Sequence, residues 1–199
     1  MTTEGPTLRQ FVVRTFLWLP PCFAAWYFSA PLLAAVAGML SRPVINLLTT
    51  GIVSALEQSG ASLTFVTTLK VHPAPGQTAL LLPEVNALLY TYGLALFIAL
   101  MLAERAAWWK MVVGSVALLP FQSLGIAFDV LAQVGIRLGP EVAAQAGVGG
   151  FRLEVIALGY QLGILIFPTL LPIVFWAVAS RLFNGIIMNS RARISQSGP

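Results

Sequence analysis

The sequence predicts an all-α membrane protein, a four-span transmembrane helical bundle with a small extracytoplasmic α+β insertion made of an amphipathic helix and a β-hairpin. Three observations predict it. Of 199 residues, 58% are hydrophobic and only 9% are charged, where soluble domains run at roughly a quarter charged. Uncharged stretches at 15–41, 85–103, 111–128 and 155–180 are each long enough, at about 1.5 Å per residue, to cross most of a hydrocarbon core of roughly 30 Å. Between the first two, the composition shifts to polar, β-branched and turn-forming residues.

The first span, 15–41, follows Arg9 and Arg14 and opens FLWLPPCFAAWYFSAPLL at 16–33. A basic start, an apolar run and the small residues AAVAG at 34–38 resemble a cleavable signal, but that apolar region exceeds the roughly 7–15 residues of a signal core. It is therefore read as a retained span. Pro20, Pro21 and Pro31 are expected to bend it, since each removes a backbone donor and crowds the preceding turn. Trp18, Trp26 and Tyr27 fit either interfacial anchoring or packing.

The segment 42–84 is the largest non-spanning piece. Ile45, Leu48, Ile52 and Leu56 recur at helical spacing with Asn46, Thr49, Thr50 and Ser54 between them, which predicts an amphipathic helix over 43–56 ended by Gln58, Ser59 and Gly60. SLTFVTTLKV at 62–71 reads as a strand. HPAPGQ at 72–77 then forces a reversal into TALLLP, giving a β-hairpin.

The second span, 85–103, carries Tyr90 and Tyr92 where an aromatic belt lies. Residues 104–110, with Glu104, Arg105, Lys110, Trp108 and Trp109, make a tight connection to the third span at 111–133, so these two spans form an antiparallel pair. The third span is uncharged from Met111 to Phe128 and contains Pro120 and Gln122 before Asp129. A Gly- and Ala-rich loop at 134–154 gives a flexible approach to the last span, 155–180, in which GYQLG at 159–163 and Pro168 and Pro172 stand out. The tail, 181–199, is amphipathic and then basic.

Four spans place both termini on one side. Arg9, Arg14, Arg105, Lys110, Arg181, Arg191 and Arg193 then share that side, against Arg42, Lys70, Arg137 and Arg152 on the other. Short loops richer in Lys and Arg stay in the cytoplasm, so residues 1–14 and the tail are expected inside and 42–84 outside. The 11 Lys and Arg are scattered without a basic run, which argues against nucleic acid. No nucleotide fingerprint or internal repeat is present.

Candidate chemistry is sparse. One cysteine, Cys22, excludes an internal disulfide, and one histidine, His72, excludes the usual multi-residue metal sites. No cofactor is expected. A Cys–His nucleophile pair is the obvious peptidase arrangement, yet the topology puts Cys22 inside the first span near its inner end and His72 at the opposite side. Cys22 reads as an inert buried thiol and His72 as a solvated turn residue. Gln122 and Asp129, seven apart, share a helix face with Gly125 between them. Gln161 matches Gln122 in depth, so an amide contact between the third and fourth spans is expected, with Asp129 reaching Arg152 or Gln133. Such groups serve a proton or ion relay or a polar clamp between helices. The clamp is preferred, since transport needs a continuous polar path. Glu57, Glu84, Glu141 and Glu154 show no shared face and read as solvated charges.

Four blocks carry a resemblance: FLWLPPCFAAWYFSAPLL at 16–33, NALLYTYGLALFIALMLAE at 86–104, LLPFQSLGIAFDVL at 118–131 and IALGYQLGILIFPTLLPIVFW at 156–176. Together, with Tyr92, Gln122, Asp129, Tyr160 and Gln161 inside them, they resemble the membrane proteins associated with exosortase H. The resemblance implies a bacterial inner-membrane accessory to a protein-sorting system, in which an exosortase processes proteins bearing a short C-terminal signal with a transmembrane helix and a basic end. It supplies no catalytic residues, and Cys22 lacks the Cys-Ser-Gly context of an exosortase. The function expected is a non-catalytic accessory that packs against the sorting enzyme or its tagged substrates through Tyr92, Gln122, Asp129, Tyr160 and Gln161, with membrane lipid as its other partner. The alternatives are a membrane cysteine peptidase or transferase using Cys22, and a small proton-coupled transporter using Asp129.

Overall fold

A computed structural model describes residues 7–71 and 77–180. The chain is mostly helical with a small sheet region. Helix α1 spans Leu8–Leu48 and starts at a capping box in which the Thr7 hydroxyl accepts from the Gln10 N–H and the Gln10 side chain accepts from the Thr7 N–H; this satisfies two donors that a helix start leaves open. It continues through Pro20, Pro21, Pro31 and Pro43. All four prolines lie on its exposed side, where no neighbouring helix must pack against the ring.

At about 1.5 Å per residue the 41 residues of α1 extend roughly 60 Å, about twice a hydrocarbon core. The extra length supports a sheet. Here the structure departs from the expected amphipathic helix over 43–56. Residues 43–48 are the last turns of α1, and β1 (Val53–Ser59) is a strand. The helix ends where Thr49 bonds back to the Ile45 carbonyl through both its N–H and its hydroxyl. The Asn46 side-chain amide then pairs with the backbone of Val53, accepting its N–H at 2.9 Å and donating to its carbonyl at 3.2 Å. Local helical spacing lost to these long-range bonds, although Ile45 and Ile52 still share a core.

Strands β1 and β2 (Ser62–Thr67) form a tight antiparallel hairpin, Ser59 opposite Ser62, turned at Gly60 and Ala61. Gly60 has φ +60°, the left-handed backbone such turns need. The main hairpin thus lies where the expected helix was to end. The expected reversal at 72–77 is flanked by a short pair, β3 (Lys70–Val71) and β4 (Ala79–Leu80); His72 and the rest of 72–76 lie outside the described residues. Strand β5 (Glu84–Asn86) completes a three-stranded sheet in the order β1-β2-β5. Alternation places Leu63, Phe65 and Thr67 of β2 inward, as a half-buried strand requires. Leu56 and Leu63 pack at Gly38 of α1.

After β5 come α2 (Leu88–Thr91), α3 (Gly93–Ala103), α4 (Trp108–Ala132) with a π-helical turn at Gln133–Arg137, α5 (Pro140–Gln145), α6 (Phe151–Gln161) with a second π-helical turn at Leu162–Ile166, and α7 (Leu170–Ala179). The Gly- and Ala-rich stretch after α4, expected as a flexible loop, instead folds into α5 and buries Val142, Ala143, Ala146 and Val148. The Gln145 amide pairs with the Lys70 backbone as a strand would, at 3.0 and 3.1 Å.

Two helices, Leu8–Leu48 and Trp108–Arg137, are long and apolar enough to cross a membrane. Phe151–Ile166 and Leu170–Ala179, bent by 64° at their junction, make a third if taken as one broken span, and Leu88–Ala103 is a shorter apolar helix. The largest buried cluster sits at the sheet end, where Ala34, Ala37 and Ile45 of α1, Leu63, Phe65 and Val85 of the sheet, and Ile126, Val130 and Val134 meet. Smaller clusters lie between the helices, around Phe97, Met101 and Leu118, and around Cys22, Ala95 and Ala99. At the end opposite the sheet, Phe11 stacks on Trp176 at 5.1 Å, Trp176 Nε1 donates to Glu104 at 3.1 Å, and Lys110 Nζ donates to the Ala179 carbonyl at 2.8 Å. The start of α1, the α3–α4 turn and the end of α7 are thereby gathered together.

Candidate interaction site

Helix α4 presents Asp129, Gln133 and Arg137 one turn apart, the last two carried by the π-helical turn. Asp129 is 8% exposed, and a carboxylate buried to that extent needs polar partners. Gln133 Nε2 donates to its Oδ1 at 3.4 Å and to the Glu84 carbonyl at 3.0 Å, tying α4 to β5. Arg137 Nη1 stands 3.9 Å from the same carboxylate oxygen, while Nη2 donates to the Tyr160 hydroxyl at 2.8 Å and the guanidinium lies 5.1 Å from the Tyr160 ring centroid. The buried Tyr90 hydroxyl faces Asp129, Tyr160 and Arg137 without a hydrogen bond of good geometry.

Below this cluster α4 and the broken last helix nearly touch. A Cβ on Gly163 would lie 2.9 Å from the Gly125 Cα, and one on Gly125 would lie 2.6 Å from Tyr90 Cδ1. Only glycines permit this approach, which brings Tyr160 within reach of Arg137.

Of the residues singled out from the sequence, Asp129 and Tyr160 share this cluster, and Gln133 bonds Asp129 as expected. Arg152 does not; it donates to the Gly147 carbonyl. The Gln122–Gln161 amide contact is not made. Gln122 is 5% exposed with its Oε1 unpartnered, whereas Gln161 lies on the exposed side of α6. Matched depth along two helices does not fix rotation about their axes, and rotation decided this pair. Tyr92, at the α2–α3 junction, is half-buried and takes no part in the cluster. Tyr90 and Arg137 are the members that sequence reasoning missed as site residues. Arg137 was detectable, because Asp129, Gln133 and Arg137 continue one helix face at i, i+4 and i+8.

Cys22 is buried against Ala95 and Ala99, an apolar setting that does not activate a thiol. Glu57, Glu84, Glu141 and Glu154 are exposed. Among the described residues no three or more His, Cys, Asp or Glu are grouped to hold a metal ion.

The cluster therefore joins β5, α4 and α6 through charge-assisted and amide bonds. Replacing Arg137 with Ala should lower thermal stability in detergent by about 1 kcal/mol, through loss of the Tyr160 bond and ring contact, and Tyr160→Phe should cost less because the ring remains. An unchanged melting point for Arg137→Ala would show that the cluster holds nothing together.

The model of the exosortase H-associated membrane proteins matches residues 5–183. The chain belongs to that family. No curated protein and no solved structure matches it. The matched range includes the sheet segment, so in this exosortase H-associated protein the α1 extension, the sheet and the Asp129 cluster all fall within the family's extent.

Proposed function

We propose that this protein is a non-catalytic accessory of an exosortase-type sorting system in the bacterial inner membrane, acting by helix packing against the sorting enzyme or its tagged substrates. Four passes are proposed: the first part of α1, α2 with α3, α4, and the broken α6–α7 helix. The N- and C-termini are cytoplasmic and the sheet end faces outward. Gathering of the α1 start, the α3–α4 turn and the α7 end at one pole supports this arrangement, as do exposed Trp108 and Trp109 beside Lys110, an interfacial combination. Family membership carries the reading. Asp129, Tyr160, Tyr92, Gln122 and Gln161 are proposed as contact residues or supports for them. Because Asp129 makes its contacts to α4 and neighbouring elements, a clamp suits it better than a relay.

Deleting the gene should abolish maturation of the sorted proteins, while a Cys22→Ala variant restores it fully. Normal sorting after deletion would overturn the accessory role, and loss of activity in a membrane-inserted, folded Cys22→Ala protein would favour a thiol enzyme.

A further inference from the structure

The outer edge of β1 lies beside an apolar strip of α1. Strand β2 bonds β5 and its approach through residues 61, 65 and 67: Ala87 N–H donates to the Ala61 carbonyl, and the Phe65 and Thr67 N–H groups donate to the carbonyls of Pro83 and Leu81. Strand alternation then turns residues 62, 64 and 66 toward their partners Ser59, Glu57 and Ala55 of β1. The backbone groups of Leu56 and Gln58 consequently point away from the sheet. Arg42 covers the Ser54 carbonyl at 2.6 Å. Among the described residues, no backbone partner serves the outward groups of Leu56 and Gln58. The usual edge defences are also thin, since the register irregularity in β1 falls between Val53 and Ala55, away from them.

The strip touching β1 is fixed by Pro31, whose carbonyl accepts from Gln58 Nε2 at 2.6 Å, by Gly38 under Leu56, and by Arg42. At 3.6 residues per turn, Phe28, Leu32, Ala35 and Met39 lie about 70° further round α1, on the side away from the buried Ala34, Ser41 and Ile45. Leu32 is 68% exposed and Met39 69%. A strand added to β1 would lie over this strip just as β1 and β2 lie over their own part of the helix.

We infer that this edge and strip form a binding site for an extended peptide segment with apolar side chains at alternate positions, taken up by β-strand addition. The two observations specify different halves of one ligand. Unpaired backbone donors and acceptors call for another strand and are useless to a helix or an acyl chain. The apolar strip calls for side chains on alternate residues, because only those face it. The proposed outward orientation supplies the source of the peptide, an extracytoplasmic stretch of a sorted client, and to that extent the inference rests on the accessory role; binding itself does not.

The test uses the full chain in phospholipid nanodiscs, with residue-resolved amide exchange. The probe is a short synthetic peptide alternating Val and Thr, compared with an isomer of the same composition whose Val residues sit at helical spacing. The alternating peptide should slow exchange at Leu56 and Gln58 by about tenfold or more, leaving the already bonded amides of Ala55 and Glu57 unchanged. Met39→Glu should remove the effect and Met39→Leu should keep it. Equal protection by both isomers, or none by either, overturns the site, as does protection of Leu56 and Gln58 before peptide is added that rises with protein concentration, which would mark contact between two copies. A lipid-borne quencher that reaches Met39 while the peptide leaves both amides exchanging freely would assign the strip to acyl chains and also overturn it. Sorting after gene deletion is a separate measurement, so failure of this site leaves the accessory role standing or falling by its own result.

Discussion

Phe65→Ala should unfold the sheet end while the apolar helices stay in the membrane. Phe65 is fully buried in the largest core cluster, on the inward face of β2. Truncating a buried phenylalanine costs about 3–5 kcal/mol, from lost transfer energy and the cavity left behind, and a cap of this size has little stability to spare. The expected result is a faster-exchanging β2 and new protease cleavage within 53–86 in reconstituted protein that remains fully membrane-inserted. Glu57→Ala, on the exposed face of β1, should stay within about 0.5 kcal/mol of the parent. Equal resistance of Phe65→Ala and the parent to protease would mean that this core does not hold the cap. The same pair bears on mechanism: if the sheet end receives a client, Phe65→Ala loses sorting with the protein still in place.

Gly93→Ala should dislodge the last helix. An added Cβ there would run into the Pro168 carbonyl and approach the Pro172 ring to 2.8 Å. A side-chain tip could move aside, but a backbone carbonyl at a helix junction and a proline ring cannot without shifting α7. Overpacking of this kind costs about 1–3 kcal/mol. Displacement should appear at the far end of α7, where the Phe11–Trp176 stack and the Lys110 bond to the Ala179 carbonyl close the bundle. In a Cys22→Ala background, cysteines replacing Phe11 and Trp176 should crosslink readily, and Gly93→Ala should suppress that crosslink. Gly149→Ala is the matched control, since nothing lies within 4 Å of a Cβ at that position. Crosslinking that survives Gly93→Ala would show that the helices re-pack around the methyl group.

The membrane class and the family were legible because both depend on composition and on ordered apolar blocks that survive any detail of packing. Two helices long and apolar enough to cross a membrane, Leu8–Leu48 and Trp108–Arg137, followed from the same signal. Asp129 was also legible, as a carboxylate at the end of an apolar run whose burial demands partners. Its actual partners were less so. Arg137 reaches it only because α4 continues past Ala132 through a π-helical turn, and Tyr90 because Gly125 lets its ring lie against α4.

What the sequence by itself determined is the membrane class, from apolar runs long enough to cross a hydrocarbon core, and the change to a polar, β-branched segment between the first two of them. Tertiary structure decided how that segment folds. The helical spacing of Ile45, Leu48, Ile52 and Leu56 runs on into β1, yet Val53–Ser59 is a strand because Asn46 captures Val53 and β2 offers a ladder of backbone bonds that a lone amphipathic helix cannot match. It also decided that Gln122 and Gln161 stay apart, because depth is written in residue number whereas rotation about a helix axis is set by whichever small residues allow the closest approach, here Gly125 against Gly163.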